Sequence, residues 1–270
     1  MRALAALVLL LAVLLPGAAT AQTLPYHADP SARDIVPNLT AVPSIRFLTT
    51  ADFPPFNYRD ASGELIGFNV DLARAICADL TITCTIQAWP WEQAPKALAD
   101  GQGDALIAGL AMTPDNAALF DFSQIYLALP GRFVARKADA ASFDPNALNS
   151  KSIAVRKGSA HETFVTRYLT GAKPIEFDSE IDALAAVGAG SADLYFGDGL
   201  RAAFWLNGND CCNFAGPAFF RPDLFGDGFV VAVPAGLDTV RQAIDYSLIR
   251  LKRSGVLDEL YLRWFPVGFY

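Results

Sequence analysis

The feature that most constrains the fold is an alternation of short apolar runs with segments of helical periodicity, which occurs twice along the chain. In its first occurrence the runs IRFLTT, ITCTIQAW and DALIAGL are typical of strands, and FNVDLARAICADL and WEQAPKALADGQ lie between them. In the first of these intervening segments, Phe68, Leu72, Ile76 and Leu80 fall at the spacing of one helix face. Strands that alternate with helices predict a parallel sheet covered by helices on both faces.

The second occurrence has strands at SIAVRKG, KPIEFD and ADLYFGD and helices at SAHETFVTRYLTG, SEIDALAAVGAG and GLRAAFWLNG. The chain then passes through FGDGFVVAVPAG into two further helices, LDTVRQAIDYSLIRLKRSG and VLDELYLRWF. This order predicts an α/β protein of two lobes, joined by crossovers near residues 128–135 and 224–231. Because ligands of such sheets bind at the carboxyl ends of the strands, a cleft between the lobes is the expected binding site.

The boundaries follow from the same pattern. We assign residues 44–130 to the first part of lobe 1, residues 131–227 to lobe 2 and residues 228–270 to a return into lobe 1. Residues 22–43 contain four prolines and no clear period, so they are predicted to form an extended lead segment.

The first 21 residues are typical of a cleavable signal peptide. A single basic residue, Arg2, precedes an apolar run over residues 3–15, followed by Pro16-Gly17 and the small-residue end Ala19-Thr20-Ala21. The apolar run is shorter than the roughly 20 residues that a membrane-spanning helix needs. The protein is therefore predicted to be exported and cleaved before Gln22.

Charge and composition exclude several kinds of partner. Without residues 1–21 the chain carries 20 basic and 28 acidic residues, a net charge of −8. Such a chain, with no basic cluster, is a poor candidate for binding nucleic acid or anionic lipid. Charged residues make up 18% and apolar residues 53% of the full sequence, which favours a large buried core.

The four cysteines invite disulfide pairing in an exported protein. A bridge between Cys77 and Cys84 would close a short loop between a helix end and the next strand. Cys211 and Cys212 are adjacent, so a bridge, two free thiols and a link to another chain all remain open. No metal site or cofactor is predicted, because the chain has two histidines and no Cys-x-x-Cys pair.

The segment GLAMTPDNAALFDFS is the clearest local signature of a site. Thr113 followed by Pro114 predicts a helix start, whose exposed amides favour an anionic group. The residue in the position of an expected cation is Asn116.

Five blocks of the sequence, in order, resemble the periplasmic solute-binding proteins of ABC importers, in the class that binds polar amino acids. They are FPPFNYRDASGELIGFNVDLARAIC, KALADGQGDALIAGLAMTPDNAALFDFSQIY, SKSIAVRKGSAHETFV, FAGPAFFRPDLFGDGFVVAVPAG and LIRLKRSGVLDELYLRWF. The pattern is most similar to the histidine-binding and lysine/arginine/ornithine-binding proteins, which carry a disulfide where Cys77 and Cys84 stand. The resemblance implies a two-lobed, hinged protein of periplasmic-binding type II that closes over a small solute.

The resemblance also implies a set of ligand-binding residues. Phe53 and Trp91 match the two aromatic residues that stack on the ligand, while Trp89 is expected to be structural. Asp198 matches the acid that binds the ligand's α-amine, and Ser159 matches the hydroxyl at the helix start that holds the α-carboxylate. Asp198 and Ser159 would also serve as ordinary helix N-caps.

Departures from the family pattern bear on the ligand. Asn116 stands where relatives have the Arg that clamps the carboxylate, and Thr50 where the basic-amino-acid binders have an acid. The usual hydroxyls are replaced by Ala108, Gly109 and Ala111, and only Thr113 remains. These changes predict an amine, an apolar or aromatic compound, or an atypical amino acid as the solute. Another cation could replace the missing clamp, and the candidates are Arg132, Arg156, Lys157 and Arg201.

Three functions follow from the resemblance. The chain is expected to be the binding component of an ABC importer, a monomer that presents its solute to an inner-membrane permease. An accessory or signalling protein that docks on a dehydrogenase or receptor is an alternative, suggested by the lead segment and the adjacent cysteines. A dehydratase-like enzyme on the same fold is the third, with Asp198 as its acid. No catalytic residues are predicted under the first two, because His161 has no catalytic neighbour in the sequence pattern.

Overall fold

The structure is a computed structural model that describes residues 36–270. The predicted signal peptide and most of the lead segment lie outside this described part. The described residues form thirteen strands: β1 (Ser44–Thr49), β2 (Asp52–Phe53), β3 (Asn57–Arg59), β4 (Leu65–Ile66), β5 (Thr83–Ala88), β6 (Ala105–Leu106), β7 (Phe120–Phe122), β8 (Gly131–Arg136), β9 (Ser152–Arg156), β10 (Lys173–Phe177), β11 (Leu194–Asp198), β12 (Cys212–Phe219) and β13 (Ala232–Pro234).

Ten α-helices and one 3-10 turn (Leu39–Ala41) complete the secondary structure of these residues. The helices are α1 (Phe68–Leu80), α2 (Ala94–Ala99), α3 (Pro114–Ala117), α4 (Lys137–Ala140), α5 (Ala160–Tyr168), α6 (Glu180–Ala189), α7 (Gly199–Asn207), α8 (Pro222–Phe225), α9 (Asp238–Arg253) and α10 (Val256–Trp264). The apolar periodicity predicted α1, whose Phe68, Leu72, Ile76 and Leu80 are all buried. It also predicted the long α9, which ends in the basic residues that a helix C-terminus favours.

Lobe 1 is built on a five-stranded sheet in the order β5-β1-β6-β13-β7. Strands β5 and β6 pair parallel with β1, whereas β13 pairs antiparallel with both β6 and β7. Helices α1, α9 and α10 pack on one face, around Phe47, and α2 packs on the other, around Leu48. The prediction of two helical layers on one sheet is confirmed.

Lobe 2 has a second five-stranded sheet in the order β10-β9-β11-β8-β12. Strand β9 is parallel to β10 and β11, and β8 is antiparallel to β11 and β12. Helix α5 packs on one face and α6 on the other. The two-lobed α/β fold is therefore as predicted.

The expectation of purely parallel sheets was wrong, because each sheet receives a strand directly from the crossovers. Strands β1 and β9 run toward the edge of their sheet that faces the other lobe. The chain that arrives from the other lobe enters at that same edge and runs away from it, so β8 and β13 are antiparallel.

Two further local expectations differ from the structure. The run DALIAGL contributes only the two residues of β6 to the sheet, because the chain leaves the ladder before Gly109, whose φ is +81°. Strand β12 had no strand pattern in the sequence, and its pairing with β8 shifts register between Ala215 and Phe219.

The two crossovers run side by side between the lobes. The first covers residues 123–130, earlier than the predicted 128–135, because Gly131 already belongs to β8. The second covers residues 226–231 and pairs with the first through an antiparallel bridge between Leu127 and Phe229. Phe229 N–H donates to the Leu127 carbonyl at 2.7 Å. Paired crossovers of this kind form a two-strand hinge.

The C-terminal residues contact this hinge. The Tyr270 hydroxyl accepts a hydrogen bond from Ala128 N–H (2.8 Å) and donates one to the Ala128 carbonyl (3.0 Å). Phe269 is fully buried, and its N–H donates to the Tyr261 hydroxyl at 2.7 Å. The end of the chain is thus part of the inter-lobe connection.

All four cysteines are bridged. Cys77 and Cys84 join the end of α1 to β5, with their Cα atoms 6.0 Å apart. Cys211 and Cys212 form a vicinal bridge at the start of β12, the first of the three possibilities that the sequence left open.

Candidate functional site

Two adjoining cavities share Asp52 and Phe53 in their walls, and the larger of them lies between the lobes. The smaller has a volume of about 280 Å³ and is lined from lobe 1, by residues that include Trp91, Glu92 and Gly109. The larger, of about 790 Å³, extends from Asp52 and Phe53 to α6 and α7 of lobe 2. Both open at the carboxyl ends of the strands, where ligands of α/β sheets bind.

The wall of the smaller cavity is aromatic. The Phe53 ring stacks on Phe56 with 5.0 Å between centroids and meets the edge of Phe229 at 6.1 Å. Trp91 lies between β5 and α2, and its side chain is 40% exposed. Gly109 lies beside these rings with a φ of +81°, a conformation that disfavours residues other than glycine, although a Cβ there would make only ordinary contact with Phe53 at 3.5 Å.

Trp89 has the structural role that the sequence predicted for it. It packs against the core cluster of lobe 1 that contains Leu48, and its indole Nε1 is buried without a hydrogen bond. Trp89 N–H donates to the Thr49 carbonyl just past the end of β5, whereas Trp91 lies in the following turn, in which Gln93 N–H donates to the Pro90 carbonyl. The turn therefore separates the two rings and leaves Trp91 at the cavity.

A chain of buried polar side chains connects the smaller cavity with the hinge. Thr50, which lines that cavity, accepts a hydrogen bond from Asn57 Nδ2 at 2.6 Å. Asn69 Nδ2 donates to Asn57 Oδ1 at 2.8 Å, and the Tyr126 hydroxyl donates to Asn69 Oδ1 at 2.8 Å. Burial raises the pKa of the Tyr126 phenol far above its usual value, so this donor stays protonated.

The segment around Asn116 has the predicted helix start but turns away from the cavities. Thr113 caps α3, with its Oγ1 accepting from Asn116 N–H at 3.2 Å. The Asn116 side chain donates to the Ala111 carbonyl at 2.8 Å. Within residues 36–270, neither cavity wall includes Ala111, Thr113 or Asn116.

The start of α5 in lobe 2 is already saturated by its own side chains. Ser159 Oγ accepts from Glu162 N–H at 3.0 Å, and Glu162 Oε2 accepts from Gly158 N–H at 2.6 Å. These two bonds are reciprocal, as in a capping box. The carboxylate of Glu162 thus lies next to the helix start at which the family resemblance predicted a ligand carboxylate.

Asp198 is the N-cap of α7. Its Oδ1 accepts from Leu200 N–H at 2.8 Å and from Arg201 N–H at 3.2 Å. Beside it, His161 is half-buried and stacks on Phe225 at 4.4 Å. Burial lowers the pKa of His161, and the nearby charge of Asp198 opposes this shift only in part. Neither Ser159 nor Asp198 is in the described lining of the two cavities.

The four candidate replacement cations have different environments. Arg132 is only 6% exposed, and its guanidinium lies 4.3 Å from the centre of the Phe214 ring. Burial lowers the pKa of Arg132 to about 10. Lys157 is 3.7 Å from Glu176 at the surface. Only Arg156 and Arg201 of the four line the larger cavity.

Arg201 has an acidic partner in the same wall. Its Nε lies 3.1 Å from Glu180 Oε2, although that buried oxygen receives no hydrogen bond from the described residues. Burial raises the pKa of Glu180, and the charge of Arg201 limits the rise. The sequence interpretation missed Glu180, together with Asp52 and Glu92. Only Asp52, next to Phe53, carried a sequence signal.

No group of three or more His, Cys, Asp or Glu side chains that could hold a metal ion occurs within residues 36–270. A search of the same residues for a helix with the length and hydropathy of a membrane span found none.

Comparisons with known proteins agree with this architecture. Residues 45–267 match the sequence profile of the bacterial extracellular solute-binding proteins, family 3. The chain is 30% identical to the putative ABC transporter arginine-binding protein 2 of Escherichia coli (strain K12), over 84% of this chain and 92% of that protein. It is 25% identical to the histidine-binding periplasmic protein of Salmonella typhimurium, over 85% and 91%.

Among solved structures, an ancestral cyclohexadienyl dehydratase superposes with a TM-score of 0.72. That likeness has 23% sequence identity and covers 86% of this chain and 98% of the other. At this identity it supports the two-lobed fold alone.

Proposed function

The chain belongs to the bacterial extracellular solute-binding proteins of family 3, and on that premise we propose that it is the periplasmic binding component of an ABC importer. It closes over a small solute, as a monomer, and presents it to an inner-membrane permease. The observation that carries the proposal is the larger cavity between the lobes, with the smaller lobe 1 cavity beside it and a two-strand hinge. The names of the relatives support the same activity, since they are arginine- and histidine-binding proteins of ABC transport or of the periplasm.

The solute is an amine, an apolar or aromatic compound, or an atypical amino acid. Phe53 and Trp91 provide ring faces on which a planar or cationic group stacks. Asp52 and Glu92 add negative charge to the same wall. Asn116 has neither the charge nor the direction to clamp a carboxylate, because its amide donates to the Ala111 carbonyl.

The proposed binding residues fall into two groups. Phe53, Trp91 and Gly109 contact the solute in the open cleft, which their position in the smaller cavity supports. The proposed contacts of Ala111, Thr113, Asn116, Ser159 and Asp198 form after closure. Of these, Asp198 has the best case, because its helix-capping bonds use one carboxylate oxygen and leave Oδ2 available.

Closure requires that the solute bind the closed state more tightly than the open one. A ligand that contacts both walls has this property, because the lobe 2 contacts form only on closure. The paired crossovers at Leu127 and Phe229 allow this motion without breaking either sheet.

A thermal-shift screen of amines, aromatic compounds and amino acids tests the proposal. We expect at least one class to raise the melting temperature of the wild type, and Trp91→Ala to abolish that rise. Tyr168→Ala is the matched control, since it removes an exposed ring that lies outside both cavities. Stabilisation that is unchanged in Trp91→Ala would contradict the assignment of the site.

The two alternative functions, a dehydratase and an accessory or signalling protein, require different features. A dehydratase needs a positioned acid, for which Asp198 is the candidate, and a cation for a carboxylated substrate, and Asn116 in the clamp position lacks that charge. An accessory or signalling role predicts a gene for a dehydrogenase or receptor next to this one, whereas import predicts genes for a permease and an ATPase.

A further inference from the structure

Both places at which the family pattern predicts a bound carboxylate are satisfied by the chain itself. In lobe 1 the Asn116 amide turns back to the Ala111 carbonyl. In lobe 2 the Gly158 amide is taken by the carboxylate of Glu162 at 2.6 Å. A ligand carboxylate at either position would have to displace an existing hydrogen bond, and in lobe 2 it would also meet a negative charge.

Arg156 offers a different position at which a ligand carboxylate could bind. It is the last residue of β9, so it emerges at the edge of the lobe 2 sheet that faces the cleft. Its side chain is exposed and lines the larger cavity, whose opposite wall is formed by Phe53 and Pro54 of lobe 1. This position connects a lobe 2 cation with the aromatic wall of lobe 1 across one continuous space.

The guanidinium of Arg156 has no direct partner within the described part of the chain. No side chain of residues 36–270 forms a hydrogen bond or an ion pair with its guanidinium, in contrast to Arg201 beside Glu180 and Lys157 beside Glu176. In the open cleft, water solvates this charge at little cost. When the lobes close and exclude water, an unpaired guanidinium becomes costly unless an anion meets it.

We infer that Arg156 binds a carboxylate of the solute on closure and so replaces the missing clamp at residue 116. The inference rests on the proposed function and narrows its solute to one that carries an acid group. Because the carboxylate contacts lobe 2 while the rest of the solute stacks on lobe 1, the bond forms in the closed state. It therefore contributes the differential affinity that closure requires.

A second residue, Glu180, indicates which group of the solute lies next to that carboxylate. Glu180 Oε2 is buried in the same wall and receives no hydrogen bond from the described residues. Burial raises the pKa of Glu180, and the charge of Arg156, after that of Arg201, opposes the rise, so Arg156 and Glu180 are close enough to interact. A solute with an ammonium or another N–H donor next to its carboxylate satisfies both residues, as an α-amino acid does.

Asp178 is the competing partner within the chain. It lines the same cavity and follows Phe177, the residue paired with Arg156 in the sheet register. If closure brought Arg156 onto Asp178, the protein would close without any acid on the solute. The experiment below separates these cases, because only the inferred role makes affinity depend on the ligand's carboxylate.

The test uses pairs of probes that differ only in a carboxylate: arginine with agmatine, histidine with histamine, and tryptophan with tryptamine. Dissociation constants are measured by calorimetry for the wild type, Arg156→Gln and Lys157→Gln. Lys157→Gln is the matched control, since it removes the same charge from the adjacent exposed residue, which is outside both cavities. Melting temperatures without ligand show that each variant is folded.

We expect the wild type to prefer the acid of at least one pair. Arg156→Gln should weaken binding of that acid by roughly 10- to 100-fold, with little effect on its decarboxylated partner. Lys157→Gln should keep the preference. Binding with no preference for the acid, or a preference that survives Arg156→Gln, would overturn the inference and leave the proposed function standing. Failure of every probe to bind the wild type would overturn the proposed solute class and the inference together.

Discussion

The buried hydrogen bonds that connect Thr50 with Tyr126 predict how much stability a substitution at Asn69 should cost. Asn69 is fully buried and makes both central bonds, donating to Asn57 and accepting from the Tyr126 hydroxyl, each at 2.8 Å. Replacing Asn69 with Leu keeps the volume but leaves Asn57 Oδ1 and the Tyr126 hydroxyl without their partner. A buried polar group without a partner costs about 1–3 kcal/mol, so Asn69→Leu should lower the free energy of unfolding by about 2–5 kcal/mol.

The hydrogen bond between Tyr126 and Asn69 also predicts that the losses in unfolding free energy are not additive. Tyr126→Phe alone leaves Asn69 Oδ1 without its donor and should cost about 1–2 kcal/mol. In the double variant both members of that bond are gone. Its loss should therefore be smaller than the sum of the single losses, by about 1–3 kcal/mol.

The assay is urea unfolding of all four proteins, followed by tryptophan fluorescence and extrapolated to water. Ser247→Ala is the control, because Ser247 is fully buried but its Oγ has no hydrogen bond within residues 36–270. Removing that hydroxyl should cost less than about 1 kcal/mol or stabilise the protein. Losses for Asn69→Leu and Tyr126→Phe that add to within about 0.5 kcal/mol would refute the coupling.

Three further predictions concern other parts of the fold. Replacing Cys77 and Cys84 with Ser opens a loop with a sequence separation of 7 and should cost about 2–3 kcal/mol, measured by the same unfolding assay. For Asp104, partial burial favours the neutral form, but the hydrogen bonds and charge of Arg46 outweigh it and hold the pKa below its usual value. Such a group stabilises the folded state above about pH 4, and this contribution is lost as the pH falls through the folded-state pKa. Asp104→Asn should therefore cost about 1 kcal/mol at pH 7, and its difference from the wild type should shrink in unfolding experiments at pH 3. Tyr270→Phe removes a hydroxyl that bonds both backbone groups of one hinge residue, so hydrogen exchange of the hinge amides should accelerate, and unchanged exchange would contradict this role.

Several features of both lobes could be predicted from local sequence signals. The spacing of apolar residues predicted α1 and α9, and the family pattern assigned Trp91 rather than the partly buried Trp89 to the cavity. Thr113 and Ser159 cap helices as their positions predicted. In each case the deciding interaction joins residues within about one helical turn or one strand, so the sequence order already contains both partners.

Partnerships between distant segments were decided only by the tertiary structure. The directions of β8 and β13 depend on the edge at which the crossovers enter the sheets, and no local pattern encodes that edge. Of the candidate cations, Arg132 is buried against Phe214, while Arg201 meets Glu180. Arg156 alone of those that line the larger cavity has no partner within residues 36–270.

The sequence by itself therefore determined the elements, the two-lobed fold and the family, because these depend on periodicity and on the order of motifs along the chain. The tertiary structure decided which charges are already neutralised, because pairing depends on distances between residues that the fold brings together from different elements. Asn116 could be identified from the sequence as a missing cation. Only the assembled cleft shows that the Asn116 side chain is turned away from the cavities and that an unpaired guanidinium faces them from the opposite lobe.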